Sequence, residues 1–203
     1  MNPEIAGGEE TGQNGLLMTI LDSPENRATV FQISVELFHE FSRRGMFGED
    51  VELLQGLPFK KLPKSPLHET ILRRLLRTLR ACIPPSYFLT QEGPITCAHS
   101  EPEPDIAVIA GDEEDFALSH PTTAELIIEV AINTQQRDRS KAGIYAEAGV
   151  KEYWLVEPEN KSITLYTQPS GSGYERLLAI VESGHVQSTV FAEFSVEVGE
   201  IFA

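Results

Sequence analysis

Hydrophobic positions along this chain change period several times, and each change marks an element. Phe31, Val35, Phe38 and Phe41 recur at helical spacing after Ser23-Pro24, a pair that suits an N-cap followed by a first-turn proline. They predict a helix from Ser23 that ends near Gly45. Val51 to Leu54, a turn at Gly56 and Pro58 to Leu62 predict a short hairpin. Leu67, Ile71, Leu72, Leu75, Leu76 and Leu79 form the clearest amphipathic stripe, which Pro84-Pro85 stops. Tyr87 to Leu89 and Ile95 to Ala98 read as strands. Ile106 to Ala110 and Leu126 to Val130 are continuous apolar runs, as central strands buried on both faces require. Arg137 to Ala148 predicts a helix closed by Gly149, and Glu152 to Val156 another apolar strand. Ile163 to Tyr166, Tyr174 to Leu178 and Val186 to Phe191 alternate between glycines and prolines and suggest an antiparallel meander. With no internal repeat, the order predicts one mixed α/β domain around a central sheet.

Composition narrows this picture. The chain has 203 residues, 41% of them hydrophobic. That is enough for one medium domain with a core, over residues 16–203. Residues 1–15 are rich in Gly and Glu without periodicity and are expected to be a flexible tail. No apolar run reaches the ~18 residues of a membrane span. The N-terminus lacks the basic start and apolar block of a secretory signal. A cytoplasmic location is therefore expected. Cys82 and Cys97 have no metal-type spacing with the histidines and read as small core residues. No P-loop, GxGxxG or GxSxG motif is present.

The formal charge of −15 argues against nonspecific nucleic-acid binding by the whole surface. Charge is unevenly placed, however. Between Lys60 and Arg80 the only acid is Glu69, against Lys60, Lys61, Lys64, Arg73, Arg74, Arg77 and Arg80. Arg73, Arg77 and Arg80 line one face of the amphipathic helix. They are either phosphate contacts or, the favoured reading, a solvated face. A role on DNA requires that they lie on the same side as the site described next.

Asp105 heads the run Ile106 to Ala110, and Glu129 interrupts the run Leu126 to Ala131. By strand alternation Glu129 shares a face with Ile127 and Ala131. Lys141 follows on a helix, with Tyr145 four residues later on the same face. Taken singly, Asp105 fits a turn, Glu129 a solvent-facing strand position and Lys141 a solvated helix face. Together, two carboxylates on neighbouring strands can hold Mg²⁺, which takes oxygen ligands at roughly 2.0–2.1 Å. They leave room for a phosphate and an attacking water. A lysine beside them can orient that water or stabilise developing charge. Tyr153 and Trp154 read as packing residues.

The strings PDIAVIAG, ELIIEVA and DRSKAGIYAEAGVKEYWLVEP resemble the Uma-two family, itself similar to the PD-(D/E)XK superfamily of restriction-endonuclease-like folds. Upstream, VELLQG looks like the family's ELxxG strand–turn motif, and His68 matches its usual histidine. The match runs roughly from Ser23 to Ala203. The resemblance implies an α/β, restriction-endonuclease-like core: a central mixed β-sheet flanked by helices. It implies that Asp105 and Glu129 bind the metal, Mg²⁺ or Mn²⁺, with the carbonyl of Val130 as a further ligand. Glu52, His68 and Tyr145 are accessory candidates. The superfamily pattern places a lysine two residues after Glu129, where this chain has Ala131; Lys141 is the candidate for that role. Phosphodiester hydrolysis in DNA, leaving a 3′ hydroxyl and a 5′ phosphate, by a protein that pairs as a homodimer is the implied activity. A catalytically inactive binding or assembly protein on the same fold is the alternative.

Overall fold

The computed structural model describes residues 23–182 and 184–203. The tail expected over residues 1–15 lies outside them. The chain divides into two compact units, one ending at Gln32 and the other Ile33–Ala203. In the first, α1 spans Pro24–Thr29.

The second unit opens with α2 (Val35–Arg43). The single helix expected from Ser23 to Gly45 is therefore two. Ser34 breaks it: its backbone is extended and its side chain caps α2 by accepting from the Leu37 amide at 3.2 Å. The Ile33 amide meanwhile donates to the Gly56 carbonyl, which draws this segment toward the hairpin. That hairpin pairs β1 (Val51–Leu54) with β2 (Leu57–Lys60). Its two-residue turn has φ 49° at Gln55 and 73° at Gly56, the double positive-φ geometry that matches the twist of paired strands.

α3 (Pro66–Cys82) follows, capped by Ser65. Its buried face is His68, Ile71, Leu72, Leu75, Leu76 and Leu79, while Leu67 is exposed. Each fully buried leucine or isoleucine contributes about 1.5–3 kcal/mol. The main sheet has six strands in the order β3 (Tyr87–Thr90), β4 (Ile106–Ala110), β5 (Leu126–Val130), β6 (Glu152–Glu157), β7 (Ser162–Ser170), β8 (Gly173–Val181). Only β5 and β6 run parallel. Their crossover is α4 (Gln135–Glu147), which ends before Gly149 at φ 76°.

Two expected strands fall elsewhere. Ile95–Ala98 is not a strand; its flanks include Pro94, Pro102 and Pro104, which lack amide donors for a ladder, and it is held by single bonds such as Ile95 N to the Pro102 carbonyl. Val186 leaves the meander: β9 (His185–Gln187) pairs with β10 (Ser195–Glu197) in a separate two-stranded sheet. A short helix, α5 (Val198–Ile201), follows it. Only β6, β7 and β8 form the meander in the main sheet.

Strand alternation sorts the core into two layers. Ile106, Val108, Ile128, Val130 and Trp154 pack with the leucines of α3. Trp154 stacks on Phe194 at 4.8 Å between centroids. Ala107, Ile127, Ala131, Tyr153 and Leu155 face the opposite way and pack with Ala142 and Tyr145 of α4. Tyr153 and Trp154 are thus both packing residues. Among the described residues no helix is long and apolar enough to cross a membrane.

Candidate active site

β4 and β5 are antiparallel neighbours with Ile106 opposite Ile128, a register that places Asp105 beside Glu129. The Asp105 amide faces Glu129 Oε2 at 3.4 Å, and the Val130 amide donates to Asp105 Oδ2 at 2.7 Å. This is the carboxyl end of the parallel pair β5–β6, the end at which open α/β sheets gather ligands. A cleft of about 730 Å³ opens here, bounded by the β1–β2 hairpin, the Lys61–Ser65 loop and the start of α4.

Four carboxylates converge on the cleft: Glu52, Asp105, Glu129 and Asp138, each at most 5% exposed. Lys141, equally buried, lies among three of them. Its Nζ is 3.0 Å from Glu129 Oε1, 3.0 Å from Glu52 Oε2 and 3.5 Å from Asp138 Oδ1. Helical spacing explains the set: Asp138, Lys141 and Tyr145 share one face of α4, and the Tyr145 hydroxyl donates to Glu129 Oε1 at 2.8 Å. Glu52 Oε2 is buried and charge-paired with Lys141, yet lacks an aligned hydrogen-bond donor.

Asp105 is held differently. Its Oδ2 also meets His68 Nε2 at 3.0 Å, and its Oδ1 takes the Lys64 ammonium at 2.7 Å. Lys64 also reaches Glu92 at 2.8 Å. Arg137 braces the hairpin to α4: it donates to the Lys60 carbonyl at 3.0 Å and lies over the Phe59 ring, 5.5 Å from its centroid.

These surroundings push the two strand acids apart. Burial works to raise Asp105, but the His68 hydrogen bond and the Lys64 charge outweigh it and hold the carboxyl below its ordinary value. Burial pushes Glu129 up to about 8; Lys141 opposes this, while Asp105, Asp138 and Glu52 add to it. Lys141 itself is raised despite burial, because Glu129, Glu52 and Asp138 surround it. It stays an ammonium, and Glu129 holds a proton far more readily than an ordinary carboxyl. Burial also raises Asp138.

The structure gathers Asp105, Glu129 and Lys141, and with them Glu52, His68 and Tyr145. Their burial leaves no room for the solvated readings that each would permit alone. The amide of Val130 is spent on Asp105. Arg73, Arg77 and Arg80 lie on the exposed face of α3, and none lines the cleft. Three residues were not singled out by sequence. Asp138 stands three before Lys141 in the string DRSK, and Lys64 stands four before His68 in the basic window, so spacing carried a signal for both. Arg137 gave none, since its role depends on the hairpin folding across from it. Among the described residues, no group of three or more His, Cys, Asp or Glu is arranged as a metal cage.

The protein is thus a six-stranded mixed sheet between helices that brings a strand-end aspartate and glutamate and a helix-borne lysine together at the ends of its inner strands. The chain belongs to the Uma2 family, described as "Putative restriction endonuclease", whose model matches residues 36–199. A solved structure from Anabaena variabilis ATCC 29413, described as "a putative nuclease belonging to DUF820", has a similar fold, with a TM-score of 0.66 and 18% identity over 75% of this chain and 89% of that one. No curated protein matches the sequence.

Proposed function

We propose that the protein is a metal-dependent endonuclease that hydrolyses phosphodiester bonds in DNA at the Asp105–Glu129–Lys141 cleft. The observation that carries this reading is the surplus of buried carboxylates there: Glu52, Glu129 and Asp138 share the buried ammonium of Lys141, and Glu129 is pushed up to about 8. A divalent cation relieves such a surplus. Mg²⁺ needs only one or two protein carboxylates plus waters, so Asp105 and Glu129 suit it without a three-residue cage. When bound, it supplies charge neutralisation and a more acidic water. The chain's own groups do the rest. Tyr145 and Lys141 fix Oε1 of Glu129, and the Val130 amide and His68 fix Oδ2 of Asp105. The other oxygens are held less firmly, Glu129 Oε2 by a long contact from the Asp105 amide and Asp105 Oδ1 by the partly exposed Lys64. The Lys141 ammonium, pinned by its carboxylates, stabilises charge that builds on the phosphate as water attacks and the P–O3′ bond breaks.

A second copy is the expected partner. Among the described residues β8, nine residues long, pairs only with β7 and so forms an edge of the main sheet, and Leu177, Leu178 and Val181 on it are exposed. The overall charge of −15 favours the rival reading, a non-catalytic binding protein. The test is cleavage of supercoiled DNA with Mg²⁺, Mn²⁺ or EDTA, by wild type and Asp105→Ala. Cation-dependent nicking lost in the variant supports the enzyme. Duplex binding without cleavage supports the rival.

A further inference from the structure

Asp105 has one oxygen that is fully committed and one that is not. Oδ2 is fixed by the Val130 amide and by His68, both on rigid elements. Oδ1 meets only the Lys64 ammonium. Lys64 is unlike the other partners. It sits in the Lys61–Ser65 connection between β2 and α3, between Pro63 and Pro66, and its side chain is 28% exposed. It also has a second carboxylate within reach, Glu92, at 2.8 Å and itself 46% exposed. Its charge can thus leave Asp105 and remain paired.

We propose that Lys64 is a displaceable counter-ion of the site: it neutralises Asp105 Oδ1 in the metal-free protein, and yields that oxygen to a divalent cation by shifting onto Glu92 and the incoming phosphate. The inference rests on the endonuclease reading above. Two cations cannot share one carboxylate oxygen without strong repulsion, so metal and Lys64 compete for it. A lysine suits the task because a compact ammonium on a flexible stem can pivot between carboxylates, which a fixed guanidinium fork does less well. The displaced charge stays at the mouth of the cleft, where a phosphate would enter. Cation binding and substrate binding are then coupled through one side chain. Lys64 is a positioning residue, and Lys141, held by three buried carboxylates, keeps its place.

Opposite substitutions have opposite effects. Lys64→Met removes the competitor and is expected to tighten Mn²⁺ binding roughly tenfold, the scale of one partly buried ion pair. Glu92→Gln removes the alternative resting place and is expected to weaken it. The free Mn²⁺ signal in electron paramagnetic resonance reads both without turnover. With Ca²⁺ in place of the catalytic ion, Lys64→Met is also expected to bind duplex DNA more weakly, with a salt slope smaller by about 1. Wild-type or weaker Mn²⁺ affinity in Lys64→Met, or tighter affinity in Glu92→Gln, overturns the proposal and leaves the metal site standing. A folded wild type that binds no Mn²⁺ overturns the endonuclease reading and this inference with it. Should Lys64→Met fail to fold, the Glu92→Gln result decides alone.

Discussion

Two glutamates are buried in the same sheet, and they are buried for different reasons. Glu152, at the start of β6, is fully covered on the α3 side. Its Oε1 accepts from the Trp154 indole at 2.5 Å, and its Oε2 from the Thr189 amide at 2.7 Å and the Thr189 hydroxyl. Neutral donors surround it, and it ties the β9–β10 end of the molecule to the sheet. Glu129, at the far end of β5 on the α4 side, has the Lys141 ammonium and the Tyr145 hydroxyl on one oxygen, a long contact from the Asp105 amide on the other, and three other carboxylates around it. A buried acid that is fully hydrogen-bonded is a structural fastening. A buried acid crowded by like charge is the kind of group that marks a functional site, and it carries the cation-site proposal made above. The two should therefore respond in opposite ways when removed.

The largest contrast is in turnover. Asp105→Ala is expected to lose on the order of 10³-fold in cation-dependent cleavage, while Glu152→Ala keeps wild-type cleavage wherever it is folded. Gel assays of DNA nicking check both. Next comes the buried cation. Lys141→Met leaves Glu52, Glu129 and Asp138 without their shared counter-charge and should cost about 3–5 kcal/mol of stability, measured by urea denaturation in EDTA. Glu152→Ala is expected to cost about 1–3 kcal/mol for each buried donor left without an acceptor. Equal stability of wild type and Glu152→Ala would erase the distinction between the two glutamates.

The pH profile sharpens it further. Burial raises Glu129 from 4.5 to about 8, so between those values the folded protein holds a proton that the unfolded chain has released. Stability of the metal-free protein should then fall as pH rises through this window, by at most about 1.4 kcal/mol per pH unit. Below about 4.5 both states are protonated and the effect vanishes. Glu129→Gln removes it, so the variant should gain on wild type steadily from pH 5 to pH 8 in parallel denaturation series. The smallest effect is expected at the arginine face of α3. Replacing Arg73, Arg77 and Arg80 by alanine should change stability by no more than about 0.5 kcal/mol each and leave cleavage unchanged.

The site was legible in sequence where chemistry broke a pattern. Glu129 inside an apolar run and Asp105 at the head of another each allowed an ordinary reading alone, a solvent-facing position and a turn, and stood out only as a set with Lys141 and the family resemblance; both are in the cleft. The strands of the core were legible because runs buried on both faces leave an unmistakable composition. What sequence did not show depended on contacts distant along the chain. The break at Ser34 comes from a cap and from pairing with Gly56, against a helical spacing that runs straight through it. The pairing of β9 with β10 is set by residues ten apart that alternate like any meander strand. Asp138 and Lys64 were visible as residues, but only the fold sets Lys64 on Asp105 and Glu92 and brings Asp138 and Lys141 of α4 to Glu129 and Glu52 in the same cleft.

The most direct test is calorimetric titration of Mn²⁺ into wild type, Glu129→Gln and Glu152→Gln at pH 8. One bound ion in wild type and in Glu152→Gln, with none in Glu129→Gln, is the predicted result. Equal binding by folded Glu129→Gln, or none by folded wild type, would contradict a metal centre at this end of the sheet.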